Sequence, residues 1–171
     1  MRGMNSDEEL LRLATHVGAD LLDAERRLVT AESCTGGWVA KLLTDIAGSS
    51  AWYDGGVVVY SNALKQSLLG VRPSTLASHG AVSEATAREM AIGALEVLGG
   101  HVSLAVTGIA GPAGAQPGKP VGTVWFAWAW KEGGEIETRV ALETFPGDRE
   151  AIRRQSVARA LRELSQLQRK P

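Results

Sequence analysis

The stretch from Gly122 to Trp130, GTVWFAWAW, restricts the possible folds more than any other part of the chain. It is apolar at nearly every position, whereas a strand with one face in water alternates between apolar and polar residues. It is also far shorter than the roughly 20 residues that a membrane span needs. We therefore predict a strand that is covered by other elements on both faces.

Helical and strand patterns alternate along the rest of the chain. Apolar residues at helical spacing predict helices over about 6–25, 35–47, 62–70, 83–98 and 148–168. The predicted N-caps include Ser6, Asn62, Ser83 and Asp148. Short β-branched or apolar runs predict strands over 28–32, 56–60, 103–107, 122–130 and 136–142, the last of them at a sheet edge after a hairpin turn. This order predicts a three-layer α/β/α sandwich with a mixed, mostly parallel sheet and one antiparallel hairpin near the C-terminus.

The bulk properties are those of an ordinary globular protein. A length of 171 residues is typical of one domain, here 1–171. The net charge of −1 argues against binding to nucleic acid or to an anionic membrane. One cysteine cannot form an internal disulfide, and three scattered histidines have no metal-ligand spacing. The N-terminal segment has charges among its apolar residues and no cleavage site. We expect a cytoplasmic protein with no signal peptide, metal or cofactor.

The segment TAESCTGGWVAKLL places Ser33 between a strand and a helix. A side chain there can project above a sheet edge, and the amides of the next four residues, Cys34 to Gly37, can donate to an oxyanion or a phosphate. On the alternative reading, Ser33 or Thr35 caps the helix and Gly36 and Gly37 only form a turn.

Cys34 is a second candidate nucleophile, because a thiol at a helix N-terminus can have a depressed pKa. It would need a base, and none of His16, His79 and His101 carries a local signature of one. A lone cysteine is otherwise a small buried hydrophobe.

Lys65 is a candidate base for Ser33. If Asn62 is the N-cap, Lys65 is the third helical residue and faces the positive end of the helix dipole. The dipole and burial both lower a lysine pKa, and a neutral lysine can accept a proton. On the alternative reading, it is a solvated lysine on a short helix.

Two further segments are candidates for binding. The glycine-rich loop from Gly108 to Pro120 follows a strand, and ligands of open α/β sheets bind at such strand ends. It has neither the Walker A nor the GxGxxG pattern, and the alternative is a plain connection. In the last helix, Arg149, Arg153 and Arg154 could reach a phosphate, or could lie along a solvated face or an oligomer contact.

Several long segments together resemble the CinA C-terminal domain family. They are AESCTGG, DIAGSSAWYDGGVVVYSNALKQSLLGV, HGAVSEATAREMAIGAL, VTGIAGPAG with KPVGTVWFAW, and FPGDREAIRRQSV. The resemblance covers about residues 8–165. It implies an α/β/α fold without a metal, and we expect the N-terminal domain of full-length CinA proteins to be absent.

The resemblance also implies an activity. Deamidase members of the family hydrolyse the carboxamide of nicotinamide mononucleotide to nicotinate mononucleotide and ammonia, in pyridine-nucleotide recycling. The serine of the ESCTGG motif is Ser33, and the lysine of the YSNxxK motif is Lys65. Lys65 would act as the base for Ser33 and would return a proton to ammonia, with Tyr60 as an expected third catalytic residue.

We expect the substrate site to be made by residues of the matching motifs: Cys34, Thr35, Gly36, Gly37, Ser49, Ser50, Thr107, Gly108, Gly111 and Arg149. The expected partner is this small-molecule substrate, and we also expect a homo-oligomer. Two alternatives stay open. One is a non-catalytic binding module, because some relatives are called competence- or damage-inducible, and the other is a hydrolase that uses Cys34.

Overall fold

The computed structural model describes residues 5–169, so residues 1–4 and 170–171, and with them both ends of the predicted domain, lie outside the described residues. Helices and strands follow one another in the predicted order, apart from one additional helix and one 3-10 turn. The helices are α1 (Asp7–Asp23), α2 (Trp38–Thr44), α3 (Asn62–Leu69), α4 (Pro73–His79), α5 (Glu84–Leu98) and α6 (Arg149–Gln168). The strands are β1 (Leu28–Glu32), β2 (Tyr53–Val58), β3 (Val102–Gly108), β4 (Thr123–Glu132) and β5 (Glu135–Thr144). A single 3-10 turn, Ser49–Ala51, precedes β2.

The five strands form one sheet in the order β2-β1-β3-β4-β5. β1 pairs in parallel with β2 and β3, whereas β4 pairs antiparallel with β3 and with β5. Four strands therefore run in the same direction and only β4 opposes them, which confirms the predicted mixed sheet. β5 lies at an edge and alternates between exposed and half-buried residues, also as predicted.

Helices cover both faces of the sheet. On one face α1, α2 and α6 pack against Phe126 and Trp128 of β4. On the other face α3 and α5 pack against Ala127 and Ala129 of the same strand. This confirms the three-layer architecture and explains why the β4 segment is apolar on both sides. Within the part of the chain that the structure describes, no helix is long and apolar enough to cross a membrane.

Three of the predicted caps are confirmed: Ser6, Ser83 and Asp148 each accept a hydrogen bond from the third residue beyond them. The fourth was wrong. Ser61 precedes α3 and its hydroxyl accepts from the amide of Leu64 at 3.1 Å, so Ser61 and not Asn62 is the N-cap.

Two further predictions of element bounds were wrong. α2 begins at Trp38 and not at Thr35, because Gly36 and Gly37 have φ angles of 60° and 96°, which a right-handed helix cannot contain. β2 begins three residues earlier than predicted, at Tyr53, because it includes Gly55 and Gly56, which have low strand propensity. The sequence analysis also did not predict α4.

Candidate active site

Ser33 lies at the carboxyl end of β1, next to the carboxyl ends of β2 and β3. Its amide donates to the carbonyl of Val106 on β3 at 3.0 Å, so the backbone is held beside the sheet for one residue beyond the strand. Lys65 lies on α3, the helix that follows β2. Its Nζ atom is 3.0 Å from Ser33 Oγ. The fold thus brings together two side chains that are 32 residues apart in the sequence.

The ammonium group of Lys65 would be unusually poorly solvated, because only 1% of the residue is exposed. Its Nζ contacts the carbonyl oxygens of Val59 at 2.9 Å and of Tyr60 at 3.1 Å. Among residues 5–169 no carboxylate forms an ion pair with it. Burial therefore lowers the pKa of Lys65, since desolvation disfavours the charged form.

The contacts of Lys65 fit an ammonium group, whose three N–H donors face the oxygens of Val59, Tyr60 and Ser33, and they also fit a neutral amine. A neutral amine has two N–H donors and one lone pair. Carbonyl oxygens can only accept, so Val59 and Tyr60 take the two N–H groups. The lone pair is left for the hydroxyl of Ser33, which can donate. This arrangement can remove the proton from Ser33 Oγ.

The position of Lys65 depends on close packing of α3 against α5. A side chain at Gly93 of α5 would collide with the carbonyl of Leu69 on α3, so glycine allows the two helices to approach. Leu69 is buried one turn beyond Lys65, on the same face of the helix. The face of α3 that packs on the core therefore carries the lysine toward Ser33.

A pocket of about 260 Å³ opens over Ser33 and Lys65. The other residues that line it come from the loops at the carboxyl ends of β1, β2 and β3, from the α4–α5 connection and from the start of α6: Cys34, Tyr60, Asn62, Ala81, Val82, Thr107, Gly108, Ala110 and Arg149. Lys65 and Arg149 are its two basic residues, and no lining residue is acidic. The pocket is therefore suited to an anionic ligand.

Arg149 joins two walls of this pocket. Its guanidinium donates to the carbonyl of Gly111 at 2.7 Å and to the hydroxyl of Tyr60 at 3.2 Å. Thr107 also holds a wall, because its hydroxyl donates to the carbonyl of Ala81 at 2.9 Å. In the described chain, no three His, Cys, Asp or Glu side chains group closely enough to hold a metal ion.

Residues 10–168 match the family model of the CinA C-terminal domain. The chain belongs to the CinA C-terminal domain family. The nicotinamide-nucleotide amidohydrolase PncC of Escherichia coli strain K12 is 53% identical over 161 residues, which are 94% of this chain and 96% of that protein. The PncC protein of Pseudomonas putida is 44% identical over 94% of this chain and 98% of its own length.

A solved structure gives the same result for the fold. It is the crystal structure of a competence-damaged protein (CinA) superfamily protein from Klebsiella pneumoniae 700603, with a TM-score of 0.86 and 44% identity. The similarity covers 93% of this chain and 97% of that chain. The CinA resemblance that the sequence motifs carry is thereby confirmed.

The CinA motifs that the sequence analysis singled out do not all meet at the pocket. Ser33, Cys34, Tyr60, Lys65, Thr107, Gly108 and Arg149 line it, and Gly111 contacts it through Arg149. Thr35, Gly36 and Gly37 lie outside the lining.

Ser49 and Ser50 lie near the amino ends of the strands, whereas Ser33 lies at the carboxyl end of β1. They precede β2, near the start of β1, where the carbonyl of Ser50 accepts from Arg27 at 2.9 Å. In this chain they are too far along the strands to line the Ser33 pocket, since they precede β2 and Ser33 follows β1. The structure therefore places them away from this pocket, and their expected part in substrate binding stays a prediction.

Cys34 lines the pocket but is poorly suited to act as a nucleophile. It is 5% exposed, and burial raises the pKa of its thiol to about 12. A thiol with that pKa is protonated at neutral pH, and the thiolate is the reactive form. None of the three histidines lines the pocket either.

Glu32 is a residue of the site region that the sequence analysis did not identify. Its buried carboxylate accepts from the Thr35 hydroxyl at 2.7 Å and from the amides of Val39 at 2.9 Å and Ala40 at 3.1 Å. The carboxylate therefore occupies the N-terminus of α2, where the amides could otherwise have met a ligand. A charged residue at the end of an otherwise uncharged, fully buried strand, LVTAE, was the available signal.

Proposed function

We propose that this protein is an amidohydrolase that converts nicotinamide mononucleotide to nicotinate mononucleotide and ammonia in pyridine-nucleotide recycling, with Ser33 as nucleophile and Lys65 as base. The observation that carries the proposal is the 3.0 Å contact between Ser33 Oγ and a buried Lys65 Nζ that has no counterion among residues 5–169. The PncC relatives, named nicotinamide-nucleotide amidohydrolases, support the substrate.

In the first step Ser33 Oγ attacks the carboxamide carbon while its proton moves to Lys65 Nζ. The π electrons of the C=O bond move to oxygen and form a tetrahedral oxyanion. The C–N bond then breaks, and Lys65 gives its proton to the departing nitrogen. Ammonia leaves, and Ser33 carries a nicotinoyl ester.

In the second step a water molecule attacks the ester carbon, and Lys65 takes a proton from the water. Ser33 Oγ leaves as the new carboxyl group forms, and it regains the proton from Lys65. Because Lys65 accepts and returns one proton in each half of the reaction, it must be neutral at the start. Its burial favours the neutral form, since desolvation lowers the pKa of Lys65.

The mononucleotide phosphate is assigned to Arg149, the second basic residue of the pocket. A second depression of about 470 Å³ shares Ala110 and Arg149 with the pocket and is also lined by Asp148 and Glu150 at the start of α6. A substrate with its carboxamide at Ser33 would have room for its ribose at this end, with the phosphate on Arg149 and away from the two carboxylates. The Tyr60 hydroxyl, which contacts Arg149, would position the arginine, while the Tyr60 carbonyl holds Lys65.

The predicted homo-oligomer stays a prediction, and we assign it to the outer face of α3. Leu64 and Leu68 lie one turn apart on this helix and are 41% and 42% exposed, and Tyr60 beside them is 62% exposed. Light scattering of the wild type and of Leu68→Glu measures whether this face joins copies of the chain.

Release of ammonia from nicotinamide mononucleotide, with EDTA present, tests the proposed function. We expect turnover by the wild type and loss of nearly all turnover in Ser33→Ala. Ser67→Ala is the matched control, because Ser67 is an exposed serine on α3, and it should retain the wild-type rate. Ordinary turnover in Ser33→Ala would exclude the serine mechanism. If the wild type released no ammonia, the binding-module alternative would gain.

A further inference from the structure

Arg153, in the second turn of α6, contacts the backbone directly after Ser33. Its Nε donates to the carbonyl of Cys34 at 3.1 Å, and its Nη2 donates to the carbonyl of Thr35 at 3.2 Å. Gly36 leaves room for this contact, because a Cβ there would lie 3.0 Å from Nη2. The guanidinium also lies over the Trp38 ring, 5.7 Å from its centroid, which fixes its orientation further.

Arg153 differs from its neighbour Arg154 in what it binds. Arg154 forms ion pairs with Asp7 and Glu150. Arg153 forms no ion pair with any carboxylate in residues 5–169. Its positive charge is therefore directed at two backbone carbonyls and is not neutralised by an acidic side chain.

Two amides of the Ser33–Gly36 turn have no oxygen acceptor among the described residues. The carbonyl of Ser33 accepts from the amide of Gly36 at 3.0 Å, so the Gly36 amide is occupied and cannot serve the substrate as the sequence analysis had expected. The carbonyls of Cys34 and Thr35 are held by Arg153. The amides of Cys34 and Thr35, by contrast, donate to no oxygen acceptor of the described chain.

The directions of these two free amides follow from the carbonyls. In a trans peptide the N–H points opposite to the C=O of the same peptide unit. Fixing the Ser33 carbonyl therefore fixes the Cys34 N–H, and fixing the Cys34 carbonyl fixes the Thr35 N–H. The amide of the residue after a serine nucleophile is a recurrent oxyanion donor in hydrolases.

Of these two residues Cys34 lines the pocket, whereas Thr35 is fully buried outside it. We propose that Arg153 is a positioning residue: it holds the Thr35–Gly36 peptide, whose N–H binds the Ser33 carbonyl, so that the Cys34 amide points at the oxyanion formed at Ser33 and stabilises it. The inference rests on the proposed function. A cation on the carbonyl side of a peptide also polarises its N–H group, which makes the amide a stronger donor. Arg153 acts on the transition state and not on the bound substrate, because it does not line the pocket and its donors are already used.

Steady-state kinetics of Arg153→Met and Arg153→Lys with nicotinamide mononucleotide test this role. Loss of one oxyanion donor lowers kcat by about 10²–10³-fold, and misplacement of donors that remain present should cost somewhat less, about 10–100-fold. We expect that decrease in kcat for Arg153→Met, with KM changed by less than about threefold. Arg153→Lys keeps the charge and can reach one carbonyl, so it should recover to within about tenfold of the wild type.

Arg154→Met is the matched control. It removes the neighbouring guanidinium from the same helix and the same tryptophan, but not from the Ser33 turn. We expect its kcat to stay within about twofold of the wild type, because the oxyanion donors are untouched. Three results would each overturn the proposal. The first is a wild-type kcat in folded Arg153→Met, and the second is a change in that variant that is confined to an increase in KM. The third is an Arg153→Lys variant whose kcat is no higher than that of the methionine variant. If Arg153→Met does not fold, Arg153→Lys decides alone: a kcat below that of the wild type with unchanged KM is then expected, and a wild-type kcat would overturn the proposal.

A second measurement separates this inference from the substrate assignment. Diisopropyl fluorophosphate forms a bond from Ser33 Oγ to phosphorus and expels fluoride, and its phosphoryl oxygen needs the same donors. Mass spectrometry then gives the rate of labelling. We expect Arg153→Met to be labelled at least about tenfold more slowly than the wild type and than Arg154→Met, whichever natural substrate the enzyme takes. Equal labelling rates would refute the role of Arg153 even if the wild type hydrolyses nicotinamide mononucleotide.

Discussion

Replacement of Lys65 by methionine tests the proposed base. Methionine is unbranched, flexible and of similar length, so it fits the buried channel that the lysine occupies. It removes the Nζ atom and with it the 3.0 Å contact to Ser33 Oγ. The carbonyls of Val59 and Tyr60 lose their partner in the same change, so the thermal unfolding of the variant has to be measured beside its activity.

The magnitude follows from the contacts of Ser33. General acid–base catalysis contributes about 10²–10⁴-fold, which equals about 3–5 kcal/mol of activation free energy. Among residues 5–169, Lys65 is the one side chain that forms a hydrogen bond with Ser33 Oγ, so no second base can take its place. We therefore expect kcat/KM of Lys65→Met to fall toward the upper end of that range, by about 10³-fold or more.

The pH dependence carries the same argument. If Lys65 is the base, its neutral form is the active one, so wild-type kcat/KM should rise with pH and level off above the pKa of Lys65. Burial lowers that pKa below the ordinary lysine value of 10.5, so the plateau begins at lower pH than for a solvated lysine. The residual activity of Lys65→Met should lack this rise.

Stability should change with pH in a related way. Because the pKa of Lys65 is lower in the folded state, the unfolded chain binds more protons between the two pKa values. The free energy of unfolding of the wild type therefore rises with pH across that window. Above pH 10.5 the lysine is neutral in both states, so the cost of burying its charge disappears. Relative to Lys65→Met, the wild type should gain stability as pH rises.

Ammonia release between pH 6 and pH 10 is the assay for the kinetic part. Lys41→Met is the control, because the Lys41 side chain is 72% exposed and pairs with Asp45 on the surface of α2. A folded Lys65→Met that retains more than about a tenth of the wild-type kcat/KM would refute the general-base role. So would a wild-type profile that falls with rising pH over the lower part of the range.

Three further predictions concern residues around Ser33. Cys34→Ala should keep kcat within about threefold of the wild type. Iodoacetamide at pH 8 should not alkylate Cys34 in the folded protein, because burial raises the pKa of its thiol to about 12. Rapid labelling of Cys34, or a large loss of activity in Cys34→Ala, would contradict this prediction. Glu32→Ala leaves the Thr35 hydroxyl and the amides of Val39 and Ala40 without their acceptor. Each buried group that loses its partner costs about 1–3 kcal/mol, so the denaturation midpoint should fall strongly. An unchanged midpoint would contradict the structural role of the carboxylate. Tyr60→Phe should change kcat by less than about threefold, because the contact to Lys65 is made by the backbone carbonyl, whereas a loss above tenfold would assign the hydroxyl to proton transfer.

The sequence predicted the sheet well because its strands are buried and apolar. The β4 segment could be assigned to the middle of a sandwich, since an all-apolar strand has no other soluble arrangement. β1 was predicted over the residues that it occupies, Leu28–Glu32. The weaker predictions concerned short elements, where one glycine or one hydroxyl sets the boundary, as in the start of α2 and the cap of α3.

The candidate site was predictable only in part from the residues themselves. A capped turn and a nucleophile can have the same local sequence, so the residues alone did not decide between them. The family motifs were needed to predict that Ser33 and Lys65 act together, and the fold brings the two side chains into contact by placing α3 beside the end of β1. Glu32 carried one signal, as the single charged residue of a buried strand, whereas the role of Arg153 was not predictable, because it acts on backbone carbonyls of the Ser33 turn. Backbone contacts at long range leave no pattern in a single sequence.

Burial explains the difference between the two candidate nucleophiles. A poorly solvated environment disfavours charge of either sign, so it lowers the pKa of Lys65 and raises that of Cys34. A neutral lysine is a competent base, and a neutral thiol is a weak nucleophile. The hydroxyl of Ser33 needs no charge before it reacts, because Lys65 takes its proton as the bond forms. The same desolvation that favours a neutral lysine also favours a protonated, unreactive thiol at the adjacent cysteine, which supports Ser33 as the proposed nucleophile.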